Sequence, residues 1–208
     1  RARITSGGKV NIGGDFTQTT RQLAVISSAE QVASFEYNGT DTDGSEVRFY
    51  HNSSSPADDD TLAMLQFSGK NDADELIMYS SIKAESSDVT NGTEDGNIIF
   101  STRFNGGFAE RLRITSAGNL GINSTSPDRR FTLYQDATTR MNLKSLANST
   151  AGIEFGDPAD HNIGFLVYDN TDDSMQFGVN AGERLRITSD GLVGIGSQSP
   201  GGVLDLYH

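Results

Sequence analysis

The residues of this chain that could do chemistry are mostly carboxylates in turn-like surroundings. Asp41-Thr42-Asp43-Gly44 and Asp58-Asp59-Asp60 offer clustered oxygens to a hard cation. Asn71-Asp72-Ala73-Asp74 and Asp169-Asn170-Thr171-Asp172-Asp173 do so more sparsely. Calcium takes about six to eight oxygens, in a set order along an EF-hand loop. Counted from Asp41, the third acidic place is Ser45 and the twelfth position is not Glu. Solvated turns therefore explain these stretches better than a metal centre. His51, His161 and His208 share no two-ligand spacing, which argues against zinc. With no Cys in the chain, thiolate nucleophiles, cysteine metal sites and disulfides are excluded. A glycosidase needs two carboxyl groups roughly 5–9.5 Å apart. The acidic residues are numerous enough, but their turn contexts need no catalysis to explain them. Neither a phosphate-binding glycine loop nor a Gly-x-Ser-x-Gly elbow is present. Asn38-Gly39-Thr40, Asn91-Gly92-Thr93 and Asn148-Ser149-Thr150 fit the glycosylation acceptor pattern, but turns are rich in these residues anyway. No catalytic, cofactor-binding, metal-binding or ligand-binding residue is assigned, and no cofactor is expected.

One charged constellation recurs. Glu110-Arg111-Leu112-Arg113-Ile114-Thr115-Ser116 returns intact at 183–189, and Arg1-Ala2-Arg3-Ile4-Thr5-Ser6 is a worn copy. Arg111 with Arg113, and Arg184 with Arg186, would suit a receptor patch for acidic sugars. The stronger reading is an inter-strand or inter-chain ion pair with Glu110 and Glu183 that fixes register, because recurrence is what a structural role predicts. Surface pairs contribute only ~0–1 kcal/mol, so their use would be alignment rather than strength.

The copies align beyond this string. Gly8, Gly118 and Gly191 correspond, as do Ile12, Ile122 and Ile195. Thr125-Ser126-Pro127 meets Gln198-Ser199-Pro200, and Phe131, Leu133 and Tyr134 meet Leu204, Leu206 and Tyr207. The spacing between copies is unequal, which excludes a fixed-period solenoid. The pattern is one β-hairpin joint separated by inserts of variable length. In a strand of period two, Leu112 and Ile114 share one face and Arg111, Arg113 and Thr115 the other. The return strand adds Leu120 and Ile122. Four buried aliphatic side chains supply on the order of 10 kcal/mol. Ordering the backbone of the hairpin costs about 1–2 kcal/mol per residue. An isolated hairpin therefore fails, and its apolar face must meet other modules or other chains. Three chains around one axis are expected, because a narrow face suits a small triangular core.

Residues 1–13 read as a hairpin. Further strands are expected at 23–26, 32–37, 47–51, 62–67, 76–82, 98–104, 151–155, 163–168 and 175–179, from alternation and β-branching. Polar loops are expected at 52–60 and 86–96. The best helical candidate is 137–148, where Met141, Leu143 and Leu146 give a partial stripe and Thr138-Thr139 lowers the propensity. Three modules follow: 1–30 as the end of a preceding repeat, 31–134 with long polar inserts, and a shorter 135–208 ending in the third joint.

Composition agrees with a thin β-rich object. The hydrophobic share is 35%, Gly is high at 23 and Trp is absent, so each residue buries little. The net charge of −12 disfavours nucleic acid and anionic membrane as partners. No apolar run is long enough to span a bilayer, and no signal-peptide pattern is present. Both ends fall within repeat copies, so the chain is expected to be a segment of a longer polypeptide.

The stretch 183–200, running from Glu183-Arg184-Leu185-Arg186-Ile187-Thr188-Ser189 through Gly191, Gly194-Ile195-Gly196 and Ser199-Pro200, resembles a signature of bacteriophage tail fibres. Residues 110–127 match it with Asn123 in place of a Gly, and 1–13 match it weakly. Residues 88–102 and 153–157 resemble stretches that precede the joint in such fibres. The resemblance implies an all-β fold of elongated, intertwined homotrimeric shafts, made of short β-hairpin or sandwich-like modules. It implies a location in the virion, contacts with other tail or baseplate proteins, and a role in host adsorption, with a host surface glycan as a further partner. It carries no catalytic residues. The expected function is a structural tail-fibre segment and not an enzyme, with the inserts 52–60 and 86–96 as host-facing elements. The alternatives are a tailspike polysaccharide depolymerase, or an adhesin fibre on a phage head or bacterial surface.

Overall fold

The computed structural model describes residues 44–207 throughout, residues 35, 36, 38, 40 and 42 singly, and the backbone of three short strands nearer the start. The described residues contain strands, turns and irregular segments, and no helix. The strands are β1 (Ala2–Ile4), β2 (Val10–Gly13), β3 (Leu23–Ile26), β4 (Thr61–Lys70), β5 (Leu76–Asp88), β6 (Asp95–Phe104), β7 (Gly107–Ile114), β8 (Leu120–Ile122), β9 (Phe131–Leu133), β10 (Thr150–Phe155), β11 (Gly164–Asp169), β12 (Ser174–Val179), β13 (Gly182–Ile187), β14 (Val193–Ile195) and β15 (Leu204–Leu206). They form a three-stranded sheet β1-β2-β3 and two six-stranded sheets, β4 through β9 and β10 through β15, each in chain order. The chain divides into two compact units, Arg1–Leu133 and Tyr134–His208.

The two six-stranded sheets share one plan. Four antiparallel pairings are followed by a last strand that runs parallel to its neighbour, β9 to β8 and β15 to β14. The register matches row by row. Leu65, Ile82, Phe100, Leu112, Ile122 and Leu133 stand side by side across the first sheet. Ile153, Leu166, Phe177, Leu185, Ile195 and Leu206 do so across the second. The repeat is therefore the whole sheet, and the joint recognised in the sequence is its last three strands. The first copy follows suit: β1 and β2 are antiparallel, and β3 lies parallel to β2 with Ile12 beside Val25.

The parallel ending has a steric requirement. Strands of three residues are only about 10 Å long, so a short crossover can return the chain. It passes directly over the middle residue of the preceding strand. A Cβ at Gly121 would lie 2.5 Å from the Ser124 carbonyl oxygen and 3.2 Å from Pro127; one at Gly194 would lie 2.2 Å from the Ser197 carbonyl oxygen. The crossover begins at Asn123 in one sheet and Gly196 in the other, with φ of 54° and 73°. Asn is the side chain that best tolerates this left-handed backbone, which explains its exchange with Gly in the repeat.

Several sequence expectations are corrected. Residues 137–148 form no helix. Met141 and Leu143 instead lie over the second sheet two residues apart, and the β-branched Thr138-Thr139 pair works against a helical turn. Residues 47–51 form no strand, although their alternation suits one. Phe35 and Glu36 are not in a strand either, while 32–34 and Tyr37 lie outside the described residues. The polar loop expected at 86–96 shrinks to a hairpin tip, because β5 runs to Asp88 and β6 starts at Asp95. The second unit holds one six-stranded sheet among the described residues.

The β12–β13 hairpin turns through Asn180 and Ala181, both with φ of 55°, where the β6–β7 hairpin uses Asn105 and Gly106. An Ala in this conformation costs about 1–2 kcal/mol, partly offset by the larger unfolded-state freedom of Gly. Ala181→Gly is expected to raise the unfolding free energy by roughly 0.5–1 kcal/mol and Gly106→Ala to lower it. Thermal or urea unfolding measures both, and a destabilising Ala181→Gly would refute the turn assignment.

Candidate functional site

The recurring Glu-Arg-Leu-Arg string folds around a β-bulge. In the β6–β7 pair Phe100 faces Leu112 but Ser101 faces Glu110, so one extra residue is inserted at Arg111. The β12–β13 pair does the same between Phe177 and Gly178, inserting Arg184. A bulge shifts the alternation by one. Glu110 and Arg113, three apart, thereby come to one face and close a two-pronged pair. Arg113 Nε donates to Glu110 Oε1 and Nη2 to Oε2, both at 2.9 Å. Arg186 holds Glu183 identically, at 2.9 and 2.8 Å. Side chains at both forks are largely buried, Arg186 at 14% and Glu183 at 8% exposure.

Each fork has a further carboxylate. Asp172, in the turn before β12, accepts from Arg186 Nη1 at 2.6 Å. In the first sheet Glu85 of β5 lies 3.8 Å from Arg113 Nη1, contacts Lys83, and accepts from Asn97 Nδ2 at 3.5 Å. Burial pushes the Glu85 carboxyl upward, but the Lys83 ammonium, Asn97 and Arg113 together outweigh it and hold the group below its ordinary value. Hydrogen bonding to Glu110 and Glu183 raises the two arginines further above their already high values, so both stay charged.

This geometry corrects the sequence reading in two ways. The two-pronged fork is formed within one strand, while the inter-strand pair expected of these arginines is present as Arg113 with Glu85 of β5. Arg111 and Arg113 also do not make one patch: Arg111 Nε donates to Thr102 Oγ1 at 3.2 Å, and Arg184 Nε donates to the Val179 carbonyl at 3.1 Å. The overlooked signal was charge at positions three apart in a strand. Strict alternation would have set Glu110 among Leu112 and Ile114.

The aspartate-rich turns are engaged with backbone. Asp58 Oδ1 accepts from Val89 N, Asp60 Oδ2 from Ala57 N, and Asp169 Oδ1 from Thr171 N. Among the described residues no group of three acidic or histidine side chains could hold a metal ion. Asp41, Asp43 and His208 lie outside them.

The opposite face of each sheet is apolar and open. A second row, Ala63, Ala84, Ile98, Ile114, Leu120 and Phe131, lies beside the row of Leu112. Ala151, Tyr168, Met175, Ile187, Val193 and Leu204 lie beside that of Leu185. No charged residue stands in these four rows. Ile99, on the face opposite these rows, is the single fully buried large apolar side chain among the described residues. Leu65, Phe131, Phe177 and Leu206 keep 41–66% of their surface exposed. In the second unit Met141 and Leu143 and the face of β10–β12, including Ile153 and Leu166, enclose an apolar groove of about 270 Å³. Contiguous exposed apolar surface of this kind is uncommon on monomeric proteins.

Comparison with protein-family models and with curated proteins found no match.

Two outcomes test the forks. Arg186→Met strands Glu183 and is expected to cost ~3 kcal/mol, whereas the double change Arg186→Met with Glu183→Met recovers most of it. A double-mutant cycle in urea measures the coupling, and additive losses would refute it. Because the folded-state value of Glu85 is depressed, its contribution is complete above its ordinary 4.5 and is lost as pH falls through the lower folded value. The melting temperature of the wild type should drop more steeply below that pH than that of Glu85→Gln; parallel profiles would show that Glu85 is not linked to stability.

Proposed function

We propose that this chain is a structural segment of a bacteriophage tail fibre, working as a homotrimer in which the open apolar faces of three copies meet. The observation that carries the reading is the repeated six-stranded sheet with a charge-free apolar face that its own chain leaves largely uncovered. A single sheet of this kind has almost no interior. Copies brought together through these faces gain one, at about 25 cal/mol for each Å² of apolar surface removed from water. The resemblance of 110–127 and 183–200 to tail-fibre signatures points to the same class of object.

In this reading the protein's work is mechanical. Antiparallel ladders run through each unit and carry load across many backbone hydrogen bonds, while the shaft holds a receptor-binding end away from the particle. Its partners are other tail or baseplate proteins, and a host surface glycan where adsorption occurs. The hairpin tip 89–94 and the loop 52–60 are joined by the Asp58–Val89 bond at 3.0 Å. They form one composite projection in the first unit, which makes them the host-facing candidate.

Sedimentation velocity is expected to give three times the chain mass. Phe177→Glu, at the centre of the second face and 41% exposed in the single chain, should convert trimers to monomers while leaving the far-ultraviolet β signature in place. A wild-type chain that sediments as a monomer at micromolar concentration would overturn the proposal.

A further inference from the structure

We infer that Lys83, Glu85 and Asn97 form a self-acting cross-linking site, in which the Lys83 amine displaces ammonia from the Asn97 carboxamide and ties β5 to β6 through a side-chain amide. The site lies within one sheet of one chain and is independent of the assembly proposed above.

The ladder brings an amine, a carboxylate and a carboxamide together. Glu85 and Asn97 face each other in the β5–β6 register, and Lys83 faces Ile99 one row along. Residues two apart in a strand share a face, so Lys83 stands diagonally across from Asn97. Cβ atoms in that relation are about 7–8 Å apart, within reach of a long side chain. Glu85 stands between the two and holds both. Lys83 Nζ contacts its Oε2, and Asn97 Nδ2 approaches its Oε1 at 3.5 Å. The nitrogen that would attack and the nitrogen that would leave thus meet the two oxygens of one carboxylate.

The cluster is buried. Glu85 and Asn97 are each 6% exposed, and Ile99 beside them is 2% exposed. Buried carboxamides are as a rule fully hydrogen-bonded. The Asn97 carbonyl oxygen accepts no bond from another described residue. Charge balance accounts for Lys83, Glu85 and Arg113, but gives no reason for a neutral amide among them. The second sheet provides the contrast. Val167, Asp169 and Ser174 occupy the corresponding places, so that sheet offers neither the amine nor the carboxamide.

Glu85 serves first as base and then as acid. Its Oε2 takes a proton from the Lys83 ammonium, and the freed amine attacks Asn97 Cγ. A C–N bond forms between Nζ and Cγ, and the bond between Cγ and Nδ2 breaks with its electron pair staying on the departing nitrogen. That nitrogen receives the proton held by Glu85 and a second from Nζ, and leaves as ammonium. The carboxylate is restored, and no oxidant, reductant or co-reactant is consumed. The paired strands fix the approach of the two groups, and burial keeps competing water from Cγ. Arg113 Nη1, 3.8 Å from Glu85 Oε1, favours the ionised carboxylate that the first transfer needs. The reaction runs once per molecule, so it does not have to be fast.

The intact mass of the denatured full chain reads the bond directly. The wild type is expected to be lighter than its sequence by one ammonia. Trypsin cuts after Lys70, Lys83 and Arg103 but not after a lysine whose amine is acylated, so residues 71–103 should persist as one peptide. Lys83→Arg keeps the positive charge and loses the nucleophile, and should show its full sequence mass with an unchanged far-ultraviolet spectrum. Glu85→Gln keeps both reacting groups and should lose most of the cross-linked fraction. A wild type at full sequence mass, in a preparation whose spectrum shows the β fold, would overturn the inference. So would an ammonia loss that leaves the chain open to trypsin after Lys83, which marks a succinimide at Asn91-Gly92 instead. Undiminished cross-linking in Glu85→Gln would overturn the role given to that carboxylate.

Discussion

A single-layer sheet has two faces, and the placement of one charged pair decides how each of them is used. In β7 and β13 the inserted residue of the bulge moves Glu110 and Glu183 off the apolar face and onto the face of Arg113 and Arg186. Without the shift a carboxylate would sit beside Leu112 and Ile114, or beside Leu185 and Ile187, with no cation in reach. Burying an unpaired charge is far costlier than losing one ladder position. With the shift, the carboxylate meets a guanidinium in two-pronged geometry, and the rows of Leu112 and Leu185 on the other face are left free of charge. The bulge, the fork and the open face are one device, present in both sheets.

The same device explains the rest of the repeated string. The polar face is closed by the chain itself: the crossover carrying Ser126-Pro127 or Ser199-Pro200 lies over Gly121 or Gly194, beside the fork residue in register. Any side chain at those glycines would lift the crossover and release the last, parallel strand. Each signature position thus answers to a contact within one chain. The fork and the crossover both lie on the face of Arg113 and Arg186, and the rows of Leu112 and Leu185 stand on the other.

Much of this was legible in the sequence, and the failures have physical causes. Most strand positions, the hairpin turns and the equivalence of Asn123 with Gly196 follow from alternation and from the few residues that tolerate positive φ. The whole-sheet repeat was hidden because Phe100 and Phe177 align while the strands of their hairpins differ in length, β6 and β7 reaching further than β12 and β13 before a tip of the same size, and identity is scarce outside the last three strands. The parallel pairing of β9 with β8 could not be read, since pattern fixes which face a residue occupies but not which neighbour it finds. The helix at 137–148 was suggested by three apolar residues whose spacing also fits an extended chain lying on a greasy sheet. Residues 47–51 have the alternation of a strand, but alternation does not supply a neighbour, and none pairs with them among the described residues.

The acidity of the chain then takes on a definite role. A net charge of −12 should resist association, yet the carboxylates gather where hairpins turn. Asp88 is held below its ordinary value chiefly by the Thr90 N–H, Asp169 by the Thr171 hydroxyl and N–H, and Asp172 by Ser174 and the Arg186 guanidinium. Their charge serves turn formation and stands at the tips, out in water, where it is screened over about 8–10 Å at physiological salt. The faces that would meet in an assembly carry none. In the proposed assembly, charge would stand at the periphery and the apolar rows inside, which would keep separate fibres apart while copies of one chain come together.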